Sequence, residues 1–209
     1  MIRGIVTKWL RQLRIHSFWV RYGKATSAVS EPRQSHGLRI LFWPFRARSY
    51  PLSIEMTLAR AMQLRGHQVG VFFCNRVFDS CENFNIGDDE NDTCRLCCYE
   101  ASSATQLGHV PTFTAAGLIT RARALELDEI ARTTPLEKIF IHQFKGIELG
   151  SICESSVLRY TLKAAVDLSK DEKVVRRYFR AALHICEAAD QILDQFNPDR
   201  LVVSHGIYN

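Results

Sequence analysis

Residues 38–73 hold the arrangement that most limits how this chain folds. Leu38-Arg-Ile-Leu-Phe-Trp43 and Val69-Gly-Val-Phe-Phe73 are two short apolar runs. Between them Ile54, Leu58, Met62 and Leu64 recur at helical spacing, Ser53 stands where a helix is capped, and Gly66 stands where one stops. A strand, a helix of about a dozen residues and a second strand make a βαβ unit, which calls for a parallel sheet with a right-handed crossover. The expected fold class is therefore α/β, a Rossmann-like parallel sheet flanked by helices.

The rest of the chain supplies further elements. Residues 75–110 are polar and show no sustained period; an irregular loop is expected there, with a short helix near 95–107. Thr120–Arg132 reads as a helix, and Ile139–Phe144 as a strand or part of a loop. Asp171–Phe196 has the clearest helical pattern. Val175, Tyr178, Phe179, Ala182, Cys186, Ala189, Leu193 and Phe196 form one stripe, and Arg176, Arg177, Arg180, Glu187, Asp190 and Asp194 the other. Asn197-Pro-Asp199 ends that helix, and Leu201–Ser204 is a further strand. A parallel strand normally feeds a helix that covers the sheet. None follows here, so the α/β domain, expected over residues 38–209, is expected to be incomplete at its C-terminus.

The net charge of +5 is unevenly spread. Residues 1–37 hold seven Lys/Arg and one acid, Glu31; the remainder holds twenty basic and twenty-one acidic residues. A nearly neutral domain is a poor footprint for nucleic acid, which is not expected as a partner. In residues 2–22, Ile2, Ile5, Val6, Trp9, Leu10 and Leu13 fall at helical spacing among Arg3, Lys8, Arg11 and Arg14, followed by Phe18, Trp19 and Tyr22. That is the composition of a helix lying in a membrane interface, with Trp9, Leu13 and Trp19 as the contacts. A helix packed on the domain and an Arg-rich transit peptide are the competing readings. Residues 25–37 read as a linker, so that 1–37 form a segment of their own.

Three groups of residues carry candidate chemistry. The loop after the first strand holds Arg46, Arg48, Ser49 and Tyr50, where two guanidinium groups can clamp a phosphate or carboxylate and a phenol ring can stack. His205-Gly206 follows the last strand, and its glycine permits close backbone approach. Neither a Gly-x-Gly-x-x-Gly fingerprint nor a Walker loop is present. Cys94 and Cys97, with Cys81 upstream and His109 downstream, have half the spacing of a zinc site. Otherwise the seven cysteines suggest free thiols in a reducing compartment.

Several of these segments together resemble a known family. Leu38–Phe73 resembles the opening of GT-B glycosyltransferases. The Cys94–Cys97 pair, Lys145–Gly150, Ser156–Tyr160, Asn197–Asp199 and Val203–Tyr208 are similar to a subset tied to bacterial capsule and surface-polysaccharide synthesis. The resemblance spans about residues 38–209 and implies one half of a GT-B fold, the acceptor-side domain. It further implies a nucleotide-sugar as donor, bound by a C-terminal domain that this sequence does not match, so that the chain alone is expected to be inactive. By the same resemblance Arg46, Arg48, Ser49, Tyr50 and Gly206 bind the acceptor and His205 polarises or positions it. The implied location is cytoplasmic, peripheral at the inner face of the membrane through residues 2–22. A non-catalytic, membrane-associated module with a sugar or phosphate pocket is the alternative.

Overall fold

The structure, a computed structural model, describes residues 2–27, 37–44, 49–87 and 89–203, with the backbone alone described at 2–9, 11, 26, 27, 49, 50 and 107. These residues divide into two compact units. The first comprises the described residues up to Phe73, Asn91–Phe113 and those from Phe196 onward; the second comprises Cys74–Glu90 and Thr114–Gln195.

The first unit is built on a four-stranded, all-parallel sheet in the order β3-β2-β1-β4. Its strands are β1 (Arg39–Trp43), β2 (Gln68–Phe73), β3 (Thr112–Thr114) and β4 (Arg200–Val203). The expected α/β class with a Rossmann-like parallel sheet is thus what the chain adopts. Because side chains alternate across a strand, Ile40, Phe42, Val69, Val71 and Phe73 share one face. They are covered by Leu52, Met56 and Ala59 of α2 (Ser49–Leu64) and by Ala101 and Ala104 of α3 (Glu90–Gly108). Leu41, Trp43, Gly70 and Phe72 occupy the opposite face, where Trp43 and Phe72 meet at 4.2 Å between ring centroids. Phe113 and Phe196 meet each other at 5.5 Å directly over Gly70.

Helix α1 (Ile2–Ser27) completes this core. Ile15 and Trp19, one turn apart, are buried in the same cluster as the sheet, with Phe18 and Tyr22 packed beside them. Trp19 is 0% exposed, and Phe18 and Tyr22 meet it edge to face. This corrects the reading of Trp19 as a membrane contact: its ring faces the sheet because Ile15, Trp19 and Tyr22 lie on a single stripe. The helix is accordingly part of the α/β unit and not a separate segment ending at residue 37. Leu13 keeps 45% of its surface exposed; the side chain of Trp9 lies outside the described residues.

Both junctions beside β1 are built from sequence features. Gly66 takes φ +89° after α2, and the Gly66 and His67 N–H groups bond back to the carbonyls of Gln63 and Met62, a left-handed helix stop. The next residue then fixes the sheet, as the Leu38 N–H donates to His67 Nδ1 at 3.0 Å. Across β1, Asn197 (φ +45°) and Pro198 end α7 (Leu168–Phe196), and Asp199 Oδ2 accepts from the Arg39 N–H at 2.7 Å.

The second unit is helical. After the short α4 (Ala115–Leu118) come α5 (Arg121–Thr133), capped by the Thr120 hydroxyl, a 3-10 helix over Leu136–Ile141, α6 (Leu149–Thr161) and α7, which pack around Leu127, Ile139, Leu149, Cys153, Val157, Val175, Phe179 and Leu183. Two expectations change. Residues 136–141 form a 3-10 helix and not a strand, and α3 is a 19-residue helix where an irregular segment with a short helix was expected. Helix α3 buries Ala101, Ser103, Ala104 and Thr105. Small residues give the hydrophobic period little amplitude.

Close approach requires glycine at Gly70 and Gly150, as it does at Gly37. A Cβ on Gly70 would lie 2.8 Å from the Phe113 ring, and one on Gly150 would lie 2.3 Å from the Ile139 carbonyl oxygen. Gly70→Ala is expected to cost about 1–3 kcal/mol through overpacking. Gly150→Ala should cost more than Gly70→Ala, since backbone cannot rotate away. Gly117→Ala, whose Cβ would meet nothing nearer than 3.5 Å, should change stability least. Urea unfolding of the three variants checks the order.

Candidate functional site

Strand order places the first candidate site. From β1 the chain crosses to β2 and β3 on one side, then returns to add β4 on the other. In open parallel sheets such a reversal leaves a crevice outside the carboxyl ends of the two strands that flank it. Those strands are β1 and β4, and their register pairs the last residue of each, Trp43 with Val203. Segment 45–48 leaves from one end and segment 204–209 from the other. Arg46, Arg48, His205 and Gly206 lie outside the described residues. Ser49 and Tyr50 open the first turn of α2, whose free N–H groups favour an anion; their side chains are likewise outside the described residues.

The second concentration of chemistry lies in the helical unit, around α7. Arg180 donates to Asp128 from Nε at 2.6 Å and from Nη2 at 3.1 Å, and to Asp79 at 2.9 Å. His184 Nε2 lies 2.8 Å from the same Asp128 oxygen. Burial works to raise the Asp128 carboxyl, but the hydrogen bonds from Arg180 and His184 outweigh it and hold it below the ordinary carboxylate value. One turn on, Glu187 is 3% exposed and receives Arg123, Lys145 and Gln191. Its carboxyl is also held low, against the opposing effect of burial. Arg177 forms a two-pronged pair with Glu90, which also accepts from the Tyr160 hydroxyl, and its guanidinium lies 5.1 Å from the Tyr160 ring centroid.

An Asp-held histidine is the orienting half of a general base, so the Asp128–His184 pair invites a catalytic reading. Its geometry denies one. An ionised carboxylate only accepts, so Nε2 carries the proton; Nδ1 is buried without a hydrogen-bond partner among the described residues, on a side chain 2% exposed. A substrate cannot reach it. The pair, like Glu187 with its cations, ties α5 to α7. The sequence pattern set Arg176, Arg177, Arg180 and Glu187 opposite the apolar stripe; the structure half-buries these arginines and buries Glu187. The signal missed was Asp128, on another helix and 56 residues away from His184.

The zinc reading is also corrected. Among the described residues no three His, Cys, Asp or Glu side chains gather in a metal-binding arrangement. Cys81 belongs to the second unit and Cys94, Cys97 and His109 to the first. Cys97 and His109 bracket most of α3, separated by twelve residues and so by about 18 Å along the helix axis. None of the seven cysteines takes part in a disulfide. Burial raises Cys74 and Cys186 and pushes Cys153 up to about 12.

No protein-family model, no curated protein and no solved structure matches this chain.

Acid stability follows from the ion pairs. Asp128, Asp171 and Glu187 all have depressed folded-state values. Each therefore contributes stability above its unfolded value, about 3.9 for Asp and 4.3 for Glu, and loses it as pH falls through the lower folded value. Stability is expected to hold from neutral pH to about pH 4 and to decline below it. Glu187→Gln should lower stability at pH 7 by about 1.5–3 kcal/mol and flatten the acid decline. Thermal unfolding against pH for the two proteins measures both effects.

Proposed function

We propose that this chain is the acceptor-side domain of a glycosyltransferase that builds a surface or capsular polysaccharide, and that it works at an anionic membrane surface. The observation that carries the proposal is the topology. A parallel sheet reverses strand order between β1 and β4, and the two segments singled out by the GT-B resemblance leave from the paired ends of those strands. In this reading Arg46 and Arg48 hold an acceptor phosphate, Tyr50 stacks on its sugar, and His205 positions the accepting hydroxyl. Sugar transfer then requires a nucleotide-sugar-binding domain beside this one.

The membrane part rests on the outward side of α1. With Ile15 and Trp19 turned into the core, Leu10 (47% exposed) and Leu13 face outward beside exposed Arg14, Arg21 and Lys24. Apolar and cationic groups together suit an interface of acyl chains and anionic headgroups. No helix among the described residues is long and apolar enough to cross a membrane, so attachment is peripheral. One observation favours the non-catalytic binding module as a second reading: the Asp128–His184 pair is sealed from substrate.

Two measurements test the proposal. Saturation-transfer NMR with a short-chain polyprenyl-phosphate sugar should detect binding to the whole chain, weakened at least tenfold by Arg46→Ala with Arg48→Ala, the loss expected for removing charge-assisted contacts. Unchanged affinity would remove the acceptor site from this loop. Co-sedimentation with phosphatidylglycerol vesicles should fall with added salt and fall about tenfold or more in Arg14→Ala with Arg21→Ala. Equal partitioning of the wild type and that variant would refute the membrane reading while leaving the acceptor site standing.

A further inference from the structure

Helix α3 carries three thiols, Cys94, Cys97 and Cys98, within a single turn and a third, on one side of the helix. All three are half-buried, each retaining part of its surface. The other cysteines differ. Cys153 and Cys186 are buried, and Cys74, Cys153 and Cys186 are all pushed up by burial, which keeps them protonated and slow to oxidise. Three of the remaining four thiols stand on α3, with Cys81 in the other unit.

We propose that Cys94 and Cys97 form a reversible dithiol–disulfide switch that responds to hydroperoxides. Helical geometry sets the Cα atoms of Cys94 and Cys97 about 5 Å apart and those of Cys94 and Cys98 about 6 Å apart. Both spacings fall in the range that disulfides span, roughly 4.4–6.8 Å; adjacent Cys97 and Cys98, at about 3.8 Å, do not. Cys97 is the nearer partner. The chemistry closes in two steps. The thiolate of Cys94 attacks the peroxide O–O bond, giving a sulfenic acid, while the leaving oxygen takes up a proton and departs as water from hydrogen peroxide or as an alcohol from an organic hydroperoxide; the Cys97 thiol then attacks that sulfur and expels one water. Two electrons and two protons pass from the thiols to the peroxide.

The bond has a structural consequence. Side chains one turn apart on a helix have Cβ atoms about 5–6 Å apart, whereas a disulfide needs about 3.5–4.5 Å. Closing it pulls the turn 94–97 out of regular geometry. Leu96 lies within that turn, and Leu96, Cys97 and Tyr99 pack against the core that holds Trp19 and Met56. Oxidation thus loosens α3 on the sheet, and reduction restores it.

The position of Arg95 makes the test direct, since trypsin cuts between Cys94 and Cys97. The full chain, reduced and then treated with one equivalent of hydrogen peroxide, is alkylated and digested without reductant. The expected product is peptide 77–95 joined to peptide 96–121 through Cys94 and Cys97, located by fragmentation and lost on adding dithiothreitol. It should persist in Cys98→Ser and Cys81→Ser and be absent from Cys94→Ser and Cys97→Ser. Peroxide should also lower the melting temperature of the wild type and leave that of Cys94→Ser unchanged. The proposal is overturned by four free thiols at 81, 94, 97 and 98 after treatment. It is equally overturned by a bond mapped to Cys81 or Cys98, or by oxidation that adds only oxygen. A melting temperature indifferent to the mapped bond would remove the switch.

Discussion

Two hydrogen bonds at the start of β1 govern the rest of the first unit. The Leu38 N–H is held by the imidazole of His67 on one side, and the Arg39 N–H by the carboxylate of Asp199 on the other. A parallel strand has no hairpin to set its register, and a slip of one residue would turn its whole apolar set to the wrong face. Here the register is pinned at the same end on both sides, by side chains that immediately follow helix stops, Gly66 and Asn197. Arg39 then pairs with Gln68, and Ile40 with Arg200. The consequence at the far end of the strands is that Trp43 and Val203 finish side by side, at the strand-order reversal where the proposed site is set.

The helical unit solves a different problem. The 29-residue helix α7 keeps exposed residues towards its two ends, but between Val174 and Ala189 none is exposed, and that stretch carries Arg176, Arg177, Arg180, His184 and Glu187. The structure answers by pairing them. Asp128 takes Arg180 and His184, Glu187 takes Arg123 and Lys145, and Glu90 takes Arg177. Lost hydration is replaced by hydrogen bonds of fixed direction, which select one arrangement of α5, α6 and α7 where apolar packing alone tolerates several. Perturbed carboxylates accordingly mark structural ties here, and the inaccessible Nδ1 of His184 is what separates this case from a catalytic pair.

What could be read from sequence follows from how local each signal is. The βαβ unit, the stop at Gly66, the helix over Thr120–Arg132 and the apolar stripe of α7 depend on neighbours within a few residues, and each was legible. Helix α3 was half legible: its buried face is Ala, Ser and Thr, which bury little area and leave a weak period. β3 was not, since three residues, Thr112–Thr114, become a strand only because β2 offers an edge. The pairing of Asp128 with His184 was invisible for the same reason. Of the candidate site, sequence reasoning found the two segments, and the strand order showed that they leave from adjacent strands. The chemistry of Arg46, Arg48 and His205 stays with the proposal.

Helix α1 shows how one composition serves two surfaces. Tryptophan, leucine and arginine at helical spacing satisfy both a protein core and a lipid interface, and only the angular position of each residue decides which it meets. Ile15 and Trp19 are spent on the core, so among the described side chains the proposed membrane attachment would draw on Leu10, Leu13, Arg14, Arg21 and Lys24. Two leucines already half covered contribute about 1 kcal/mol each on further burial, and three cations about 1 kcal/mol each near an anionic surface. The sum of about 5 kcal/mol corresponds to a dissociation constant on the order of 10⁻⁴ M. Attachment of that strength is reversible and sensitive to salt. In the proposed function it would suit a domain that visits a lipid-linked acceptor and leaves.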